Sequence, residues 1–326
     1  MNAFEYVNPS ELKEVPGLLG NGRGREAVLI AGGIDLLGEL KDNLAAPKRL
    51  VNLKALSNLR YIRHEKNGVK IGATTTLTEI VSDDKIQKAY TALAQAAESV
   101  ASLQIRNVGT LGGNLCQRPR CWYYRDEAFH CLKKGGHTCF AVDGNNKYHA
   151  IMGGGPCHIV HPSDCAPALI ALGASVKVHG PRGEREILLE EFFVFPDDRL
   201  RSETVLRPNE AVTEVSIPQP EPGTVSVYFK FKEKGTMDFA SSAVAVAARA
   251  EDGVCRSVRV VLGGVAPKPW RSEAAEKLLT GKRATDDALA EAADAALADA
   301  DPLKDNAYKV PLTKALVQRA VKAAIA

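Results

Sequence analysis

The sequence predicts an α+β protein of two or three domains, and three observations support this fold class. Apolar runs alternate with helical segments over about the first sixty residues. The densest Pro/Gly stretch of the chain, Pro218 to Gly223, is typical of a domain boundary. Beyond it, strand-like runs reappear and are followed by helical segments. With 326 residues and 45% hydrophobic content, the chain is long enough to bury more than one core.

The N-terminal elements are predicted from apolar runs and the turn residues between them. Residues 27–30 form a strand, a tight Gly turn covers residues 31–35, and residues 36–44 form a helix. Residues 50–53 form a second buried strand. Two further strands, 61–65 and 69–71, flank Asn67-Gly68, a pair that accepts the positive φ angles of a type I′ hairpin turn.

Helices and strands alternate in the rest of the chain as well. The middle region contains an Ala-rich helix at 92–101, a Gly-rich loop at 107–114, a cysteine-rich segment, a helix at 166–172 that Ser163 or Asp164 can cap, and a strand at 174–178. The C-terminal region contains strands at 225–232, 243–249 and 258–262, then helices at 272–279, 285–300 and 312–325.

Charge and hydropathy exclude several classes of partner. A net charge of +3 with interspersed signs argues against nucleic-acid binding, which needs a strongly basic face. The chain contains no apolar run of about 18 residues or more, so we expect no membrane span. The residues that follow Met1 lack a basic stretch and an apolar core, so we expect a cytoplasmic protein that could reach the periplasm only with a signal-bearing partner.

Four of the seven cysteines, Cys116, Cys121, Cys131 and Cys139, lie within 24 residues. Their uneven spacing and the intervening glycines suit an iron–sulfur cluster, which needs four converging thiolates, and Lys133 and Lys134 could offset its charge. A Cys₄ zinc site is the main alternative, although zinc modules usually place cysteines in close pairs. Unligated or redox-active thiols are the third. Spacing alone leaves all three open.

Two glycine-containing loops are candidates for a cofactor site. Neither is a Rossmann G-x-G-x-x-G fingerprint, and the sequence contains no Walker A loop. Adjacent glycines nevertheless let the backbone approach a diphosphate closely, as in Ala31-Gly32-Gly33-Ile34-Asp35. Thr110-Leu111-Gly112-Gly113-Asn114 is the second loop. Each loop alone could be an ordinary tight turn.

Taken together, these motifs resemble those of the FAD-binding medium subunits of the xanthine dehydrogenase, aldehyde oxidoreductase and carbon monoxide dehydrogenase group. The resemblance covers nearly the whole chain and rests on four segments: residues 31–36, residues 106–114, residues 162–169, and Lys230 with Asp238-Phe239-Ala240. It implies a vanillyl-alcohol-oxidase-like FAD-binding domain in two subdomains, 1–56 and 57–220, and a C-terminal α+β domain, 221–326.

The resemblance also implies which residues hold FAD. Residues 31–35 should cradle the diphosphate, Thr110, Gly113 and Asn114 should line the flavin, and Asp164 should bind the ribityl or ribose side. Lys230 matches a lysine near the flavin. The expected FAD-binding residues are therefore Ala31, Gly32, Gly33, Ile34, Asp35, Leu36, Thr110, Gly113, Asn114, Asp164 and Lys230.

Most members of this group lack the cysteine-rich insert, which lies at about residues 115–158 here. The insert is similar to that of the 4-hydroxybenzoyl-CoA reductase β subunit and the periplasmic aldehyde oxidoreductase FAD subunit, both of which carry a 4Fe–4S cluster. This similarity implies that the cluster ligands are Cys121, Cys131, Cys139 and Cys157, with Cys116 as the substitute. We expect Cys165 and Cys255 to be buried small hydrophobic residues.

An electron-transfer subunit is the function that the resemblance implies. Its partners would be a molybdopterin-binding large subunit, a small subunit with two 2Fe–2S clusters, and an external electron acceptor. We find no constellation of a general base and a nucleophile, so no catalytic residue is expected. The alternatives are a zinc-stapled scaffold or assembly subunit that has lost its flavin, and a self-sufficient flavoprotein reductase.

Overall fold

The computed structural model describes residues 1–20 and 26–325, and it confirms the α+β class. Three sheets follow one another along the chain. The predicted boundary at residue 56 lies between the last strand of the first sheet and the first strand of the second. The predicted boundary at residue 220 lies just after the last strand of the second sheet. None of the described helices is both long and apolar enough to cross a membrane.

The N-terminal sheet has three parallel strands in the order β1-β3-β2. Val15, Leu19 and Val51 form its small core with residues of the two 3₁₀ turns that follow β3. The α2 helix starts directly after the glycine turn at residues 31–35, so the turn lies at the carboxyl end of β2. The elements are β1 (Glu5–Val7), α1 (Val15–Leu19), β2 (Ala27–Ile30), α2 (Leu36–Lys41) and β3 (Arg49–Asn52).

The second sheet has five antiparallel strands in the order β4-β5-β8-β6-β7, and most of the helices between β5 and β8 share one apolar core with it. Its strands are β4 (Ile62–Glu65), β5 (Gly68–Gly72), β6 (Ser175–Gly180), β7 (Gly183–Leu188) and β8 (Ala211–Pro218). Its helices are α3 (Leu77–Ser82), α4 (Asp84–Ala89), α5 (Thr91–Ser99), α6 (Leu103–Val108), α7 (Leu111–Leu115), α8 (Trp122–Arg125), α9 (Cys165–Ala171) and α10 (Leu189–Phe192).

The third sheet has four antiparallel strands in the order β12-β11-β10-β9, with two helices packed against it and a third helix packed on those two. Its elements are β9 (Thr224–Phe231), β10 (Ser242–Glu251), β11 (Val254–Gly263), β12 (Trp270–Arg271), α11 (Glu273–Leu279), α12 (Asp286–Ala296) and α13 (Lys309–Ile325). The other face of this sheet packs on α5 and α9, so Tyr228 and Ala243 belong to the same apolar core as Leu93 and Leu169.

Two local predictions were wrong, the position of one hairpin turn and the extent of one loop. The β4–β5 hairpin turns at Lys66-Asn67, one residue before the predicted pair, because Gly68 already pairs with Glu65. Gly68 is instead required by close packing, since a Cβ there would lie 2.1 Å from the backbone oxygen of Ile217 in β8. The predicted loop at 107–114 contains α7, a short helix that the Thr110 hydroxyl caps by accepting a hydrogen bond from the Gly113 N–H.

Candidate functional site

A cavity of about 600 Å³ opens where the loop after β2, the α7 region and residues 237–239 meet. This volume is in the usual range for cofactor and ligand sites. Ten of the eleven residues predicted to bind FAD line it: Ala31, Gly32, Gly33, Ile34, Asp35, Leu36, Thr110, Gly113, Asn114 and Asp164. Motifs that are far apart in sequence, from Ala31 to Phe239, therefore share one cavity wall.

The two glycine loops pack against each other, backbone to backbone, beside this cavity. A Cβ at Gly32 would lie 2.3 Å from the carbonyl oxygen of Val108, so no larger residue fits there without separating the loops. Gly33 adopts a φ of +73°, a left-handed conformation that favours glycine. Because both positions lack side chains, backbone N–H groups and carbonyls form this part of the wall.

Hydrogen bonds join the α7 turn to the segment before α9. The Ser163 hydroxyl donates to the side-chain oxygen of Asn114 at 2.5 Å and accepts from the Ala166 N–H at 3.0 Å. Ser163 thus caps α9 and holds Asn114 at the same time, whereas Asp164 makes no capping hydrogen bond. This arrangement leaves the Asp164 carboxylate available for another role.

Asp164 is the centre of a buried cluster of polar side chains that connects the cavity to the third sheet. Its carboxylate accepts hydrogen bonds from the Tyr228 hydroxyl at 2.6 Å and the Lys230 ammonium at 2.8 Å. Lys230 also donates to the Ser99 carbonyl at 3.1 Å. Burial raises the pKa of Asp164 above its ordinary value, and the Lys230 charge opposes that rise. Lys230, the eleventh predicted residue, therefore contacts the cavity through Asp164.

An arginine cluster that the sequence analysis missed surrounds Asp35. The Asp35 carboxylate pairs with Arg125 at 2.6 Å and Arg120 at 3.0 Å, and it accepts a hydrogen bond from the Arg118 N–H at 2.7 Å. Arg118 and Arg120 line the cavity as well. The backbone of Asp35 thus borders the cavity while its carboxylate binds the start of the cysteine-rich segment. The signal in the sequence was three arginines within eight residues around Cys121.

The four predicted cluster ligands lie on a segment with little regular structure, and all are free thiols. Backbone N–H groups of Tyr123 and Tyr124 reach the sulfur of Cys121. Those of Ala141 and His158 reach Cys139, and that of Ile159 reaches Cys157. N–H donors to sulfur stabilise thiolates and tune iron–sulfur clusters.

Cys139 and Cys157 are in direct contact. A hydrogen bond from the Cys157 thiol lowers the pKa of Cys139, and the same bond raises the pKa of Cys157. Cys121 in turn lies within electrostatic range of Cys131 and Cys139. Within the described residues, no group of three or more His, Cys, Asp or Glu side chains is arranged to hold a single metal ion.

The remaining cysteines and the two lysines of the segment occupy different surroundings. Cys116 lines the large cavity, where burial raises its thiol pKa to about 12. Cys165 and Cys255 are buried, as expected, at the start of α9 and in β11. The Lys133 side chain is buried, and its ammonium forms an ion pair with the Glu203 carboxylate at 2.6 Å. The Lys134 ammonium donates a hydrogen bond to the Asp126 carbonyl.

A smaller cavity of about 250 Å³ adjoins the first and extends to Cys121. Arg120, Asp164 and Phe239 line both cavities. The ring of His149 also borders the smaller one, with Nε2 at 3.2 Å from the Cys121 sulfur. The cysteine-rich segment and the large cavity are therefore neighbours in space.

Comparison with known families agrees with this arrangement. Residues 2–220 match the model for the FAD binding domain in molybdopterin dehydrogenase, and residues 226–324 match the CO dehydrogenase flavoprotein C-terminal domain. The chain belongs to the FAD-binding subunits of this molybdenum hydroxylase family. It is thus a flavoprotein subunit, and the resemblance seen in the sequence is confirmed.

Individual relatives span the same length. The chain is 35% identical to the aldehyde oxidoreductase FAD-binding subunit PaoB of Escherichia coli, over 96% of both chains. It is 32% identical to the carbon monoxide dehydrogenase medium chain of Hydrogenophaga pseudoflava, over 98% of this chain and 96% of the relative. Among solved structures, the carbon monoxide dehydrogenase of H. pseudoflava that lacks the Mo-pyranopterin moiety matches with a TM-score of 0.79 at 32% identity, over 99% of this chain and 97% of that one.

Proposed function

We propose that this chain is the electron-transfer flavoprotein subunit of a molybdenum-containing hydroxylase or dehydrogenase, with FAD in the large cavity and a 4Fe–4S cluster on the cysteine-rich segment. When bound, the flavin can exchange electrons singly or in pairs, whereas the cluster passes one at a time. The observation that carries the proposal is the convergence of distant motifs on one cavity whose neighbour extends to Cys121.

The chemistry of the cavity wall fits FAD. The Gly32-Gly33 backbone can approach a diphosphate closely because no side chain stands in the way. Arg118 and Arg120 bring positive charge to the same wall, and the buried Nε of Arg120 has no hydrogen-bond partner in the described part of the chain. A phosphate oxygen is a suitable acceptor for such a donor. Asn114 and Asp164 supply the polar groups for the flavin and ribityl side.

The donor set of the cysteine-rich segment fits a thiolate-bound cluster. Cys121, Cys131, Cys139 and Cys157 supply four sulfurs, and backbone N–H groups already point at three of them. Those donors would stabilise the thiolate forms that a cluster needs, and the Cys139–Cys157 thiol contact would give way to bonds with iron. Cys116 lines the FAD cavity, which supports keeping it as the substitute ligand only.

The proposed partners are a molybdopterin-binding large subunit, a small subunit with two 2Fe–2S clusters, and an external electron acceptor. In this arrangement the organic substrate binds to the large subunit, and electrons pass between the partner clusters and this chain. Relatives named aldehyde oxidoreductase, nicotinate dehydrogenase and xanthine dehydrogenase support a substrate of the aldehyde or N-heterocycle class. An aromatic acyl-CoA substrate rests only on the resemblance of the cysteine-rich insert to that of the 4-hydroxybenzoyl-CoA reductase β subunit.

The test is an anaerobic visible spectrum of the purified chain with assays of flavin, iron, acid-labile sulfide and zinc. We expect one FAD and about four irons per chain. Cys131→Ser should lose the iron, whereas the matched control Cys255→Ser, in the distant strand β11, should keep it. Zinc in place of iron would overturn the cluster proposal, and a colourless protein that binds no FAD would overturn the flavoprotein proposal.

A further inference from the structure

Lys309, the first residue of α13, is a wholly buried cation. Its ammonium donates hydrogen bonds to three backbone carbonyls: those of Tyr148 at 3.0 Å, His149 at 3.0 Å and Gly264 at 2.8 Å. Its relative exposure is 0%. The donors of the ammonium are thus satisfied, but neutral carbonyls do not balance its charge.

No described carboxylate forms an ion pair with Lys309. Burial alone lowers the pKa of this lysine to about 7, and no acidic group in the described part of the chain opposes that effect. Fully buried lysines are rare in proteins unless an anion accompanies them, because an isolated buried charge is costly. The surroundings of Lys309 therefore lack the anion that such a site normally contains.

Two of the three carbonyls that Lys309 contacts, those of Tyr148 and His149, belong to the end of the cysteine-rich segment, and the third, that of Gly264, directly follows β11. The ammonium lies within electrostatic range of the His149 ring, whose Nε2 is 3.2 Å from the Cys121 sulfur. Asn306 strengthens the same contact, since its side-chain amide donates to the carbonyls of His149 and Ala150. Asn306 and Lys309 thus hydrogen-bond the end of the cysteine-rich segment, and the unbalanced cation lies against it.

We propose that Lys309 is a positioning residue whose ammonium is the buried counter-charge of the iron–sulfur cluster and raises its reduction potential. The inference rests on the proposed function. Four thiolates give a 4Fe–4S cluster a net negative charge, and one-electron reduction adds another negative charge. A fixed cation in a poorly screened interior favours the more negative, reduced form. The cluster in turn supplies the anion that Lys309 lacks.

The experiment compares the full-length wild-type chain with Lys309→Met and Lys309→Gln. Lys322→Met is the matched control, because Lys322 lies on the same helix but its side chain is 65% exposed and pairs with Asp286. Iron content is measured first, and the reduction potential is then measured by a titration followed by electron paramagnetic resonance. We expect both Lys309 variants to keep the iron. At a fixed applied potential, their ratio of reduced to oxidised cluster should fall about tenfold, which is about 59 mV for a one-electron couple.

Each other outcome decides the matter. A wild-type potential in the iron-loaded Lys309 variants would overturn the inference and leave Lys309 as a plain structural residue. If Met and Gln both lose the iron, Lys309→Arg decides: iron retained with Arg supports a need for the charge, and iron lost with Arg overturns it. A wild-type chain without iron would refute the proposed cluster itself, before any variant is compared.

Discussion

Replacing Gly32 with alanine tests whether the two glycine loops form the FAD cradle. The new Cβ would lie 2.3 Å from the Val108 carbonyl oxygen and 3.0 Å from the Gly109 Cα. Ordinary van der Waals contact starts at 3.4 Å, so the loops must separate by about 1 Å. Overpacking of this kind costs roughly 1–3 kcal/mol. If the strain is relieved only when FAD is absent, the same energy appears as an affinity loss of about five- to 150-fold.

The assay combines urea unfolding of the FAD-free chain with the FAD-to-protein ratio after gel filtration. Gly17→Ala is the control, because Gly17 lies in α1 with nothing within 4 Å of its Cβ position. A helical alanine there should stabilise the chain by roughly 0.5–1 kcal/mol and leave FAD binding unchanged. The reasoning is refuted if Gly32→Ala unfolds at the wild-type urea concentration and also retains stoichiometric FAD.

Three further changes test the cavity wall and the core. Lys230→Met should lower the free energy of unfolding in urea by about 3–5 kcal/mol, because it removes the ion-pair partner of the buried Asp164 carboxylate. Adding Asp164→Asn should recover part of that loss. Equal stability of the single and double variants would contradict this explanation. Glu79→Gln should flatten the acid-side fall in stability below about pH 5. Burial raises the pKa of Glu79, but hydrogen bonds from Thr76 and a neighbouring arginine outweigh burial and leave the pKa below its ordinary value. Its contribution is therefore complete above the unfolded pKa of about 4.3 and lost as pH falls through the folded pKa, and an unchanged pH profile would count against it. Phe192→Ala should lower the free energy of unfolding by about 3–5 kcal/mol, because Phe192 is fully buried in the core. It should not change the FAD content of the folded fraction, because Phe192 lies outside the cavity wall. A reduced FAD content at low temperature, where the variant is folded, would contradict the second expectation.

Local patterns were sufficient for most of the fold. The strand at 27–30, the glycine turn and the following helix depend on neighbouring residues, so their sequence predicts them directly. Element ends were less accurate: the helix predicted at 285–300 is α12, which ends at Ala296, and α13 starts at Lys309, three residues before the prediction. Gly68 shows the limit of local rules, because contact with the distant strand β8 dictates its role. The domain boundaries at residues 56 and 220 stay predictions.

The sequence was sufficient to predict the glycine loops of the candidate site, but not the ion-pair and hydrogen-bond partners of its charged side chains. Where a Cβ would collide with neighbouring backbone, the sequence requires glycine, and the resulting Gly-Gly pair can be recognised in the sequence. The family resemblance then assigned both glycine loops to the same FAD site. The partners of Asp35 lie 83 to 90 residues away in sequence and those of Lys309 lie 45 to 161 residues away, and no spacing rule contains that information. Lys133 illustrates the same point: the sequence suggested a cluster counter-charge, and the structure pairs its ammonium with Glu203 while keeping it within electrostatic range of Cys157.

The position of Asp35 links the two proposed cofactor segments. Its backbone belongs to the glycine loop, while its carboxylate pairs with Arg120 and Arg125 on either side of Cys121. The side chains of both arginines are largely buried, so the pairing is poorly screened by solvent and both segments must move together. A fixed separation between donor and acceptor is what an electron-transfer subunit needs, because its partners change while its own cofactors must stay in place. An ion-pair network achieves this across a segment with little regular structure, where helices and strands could not.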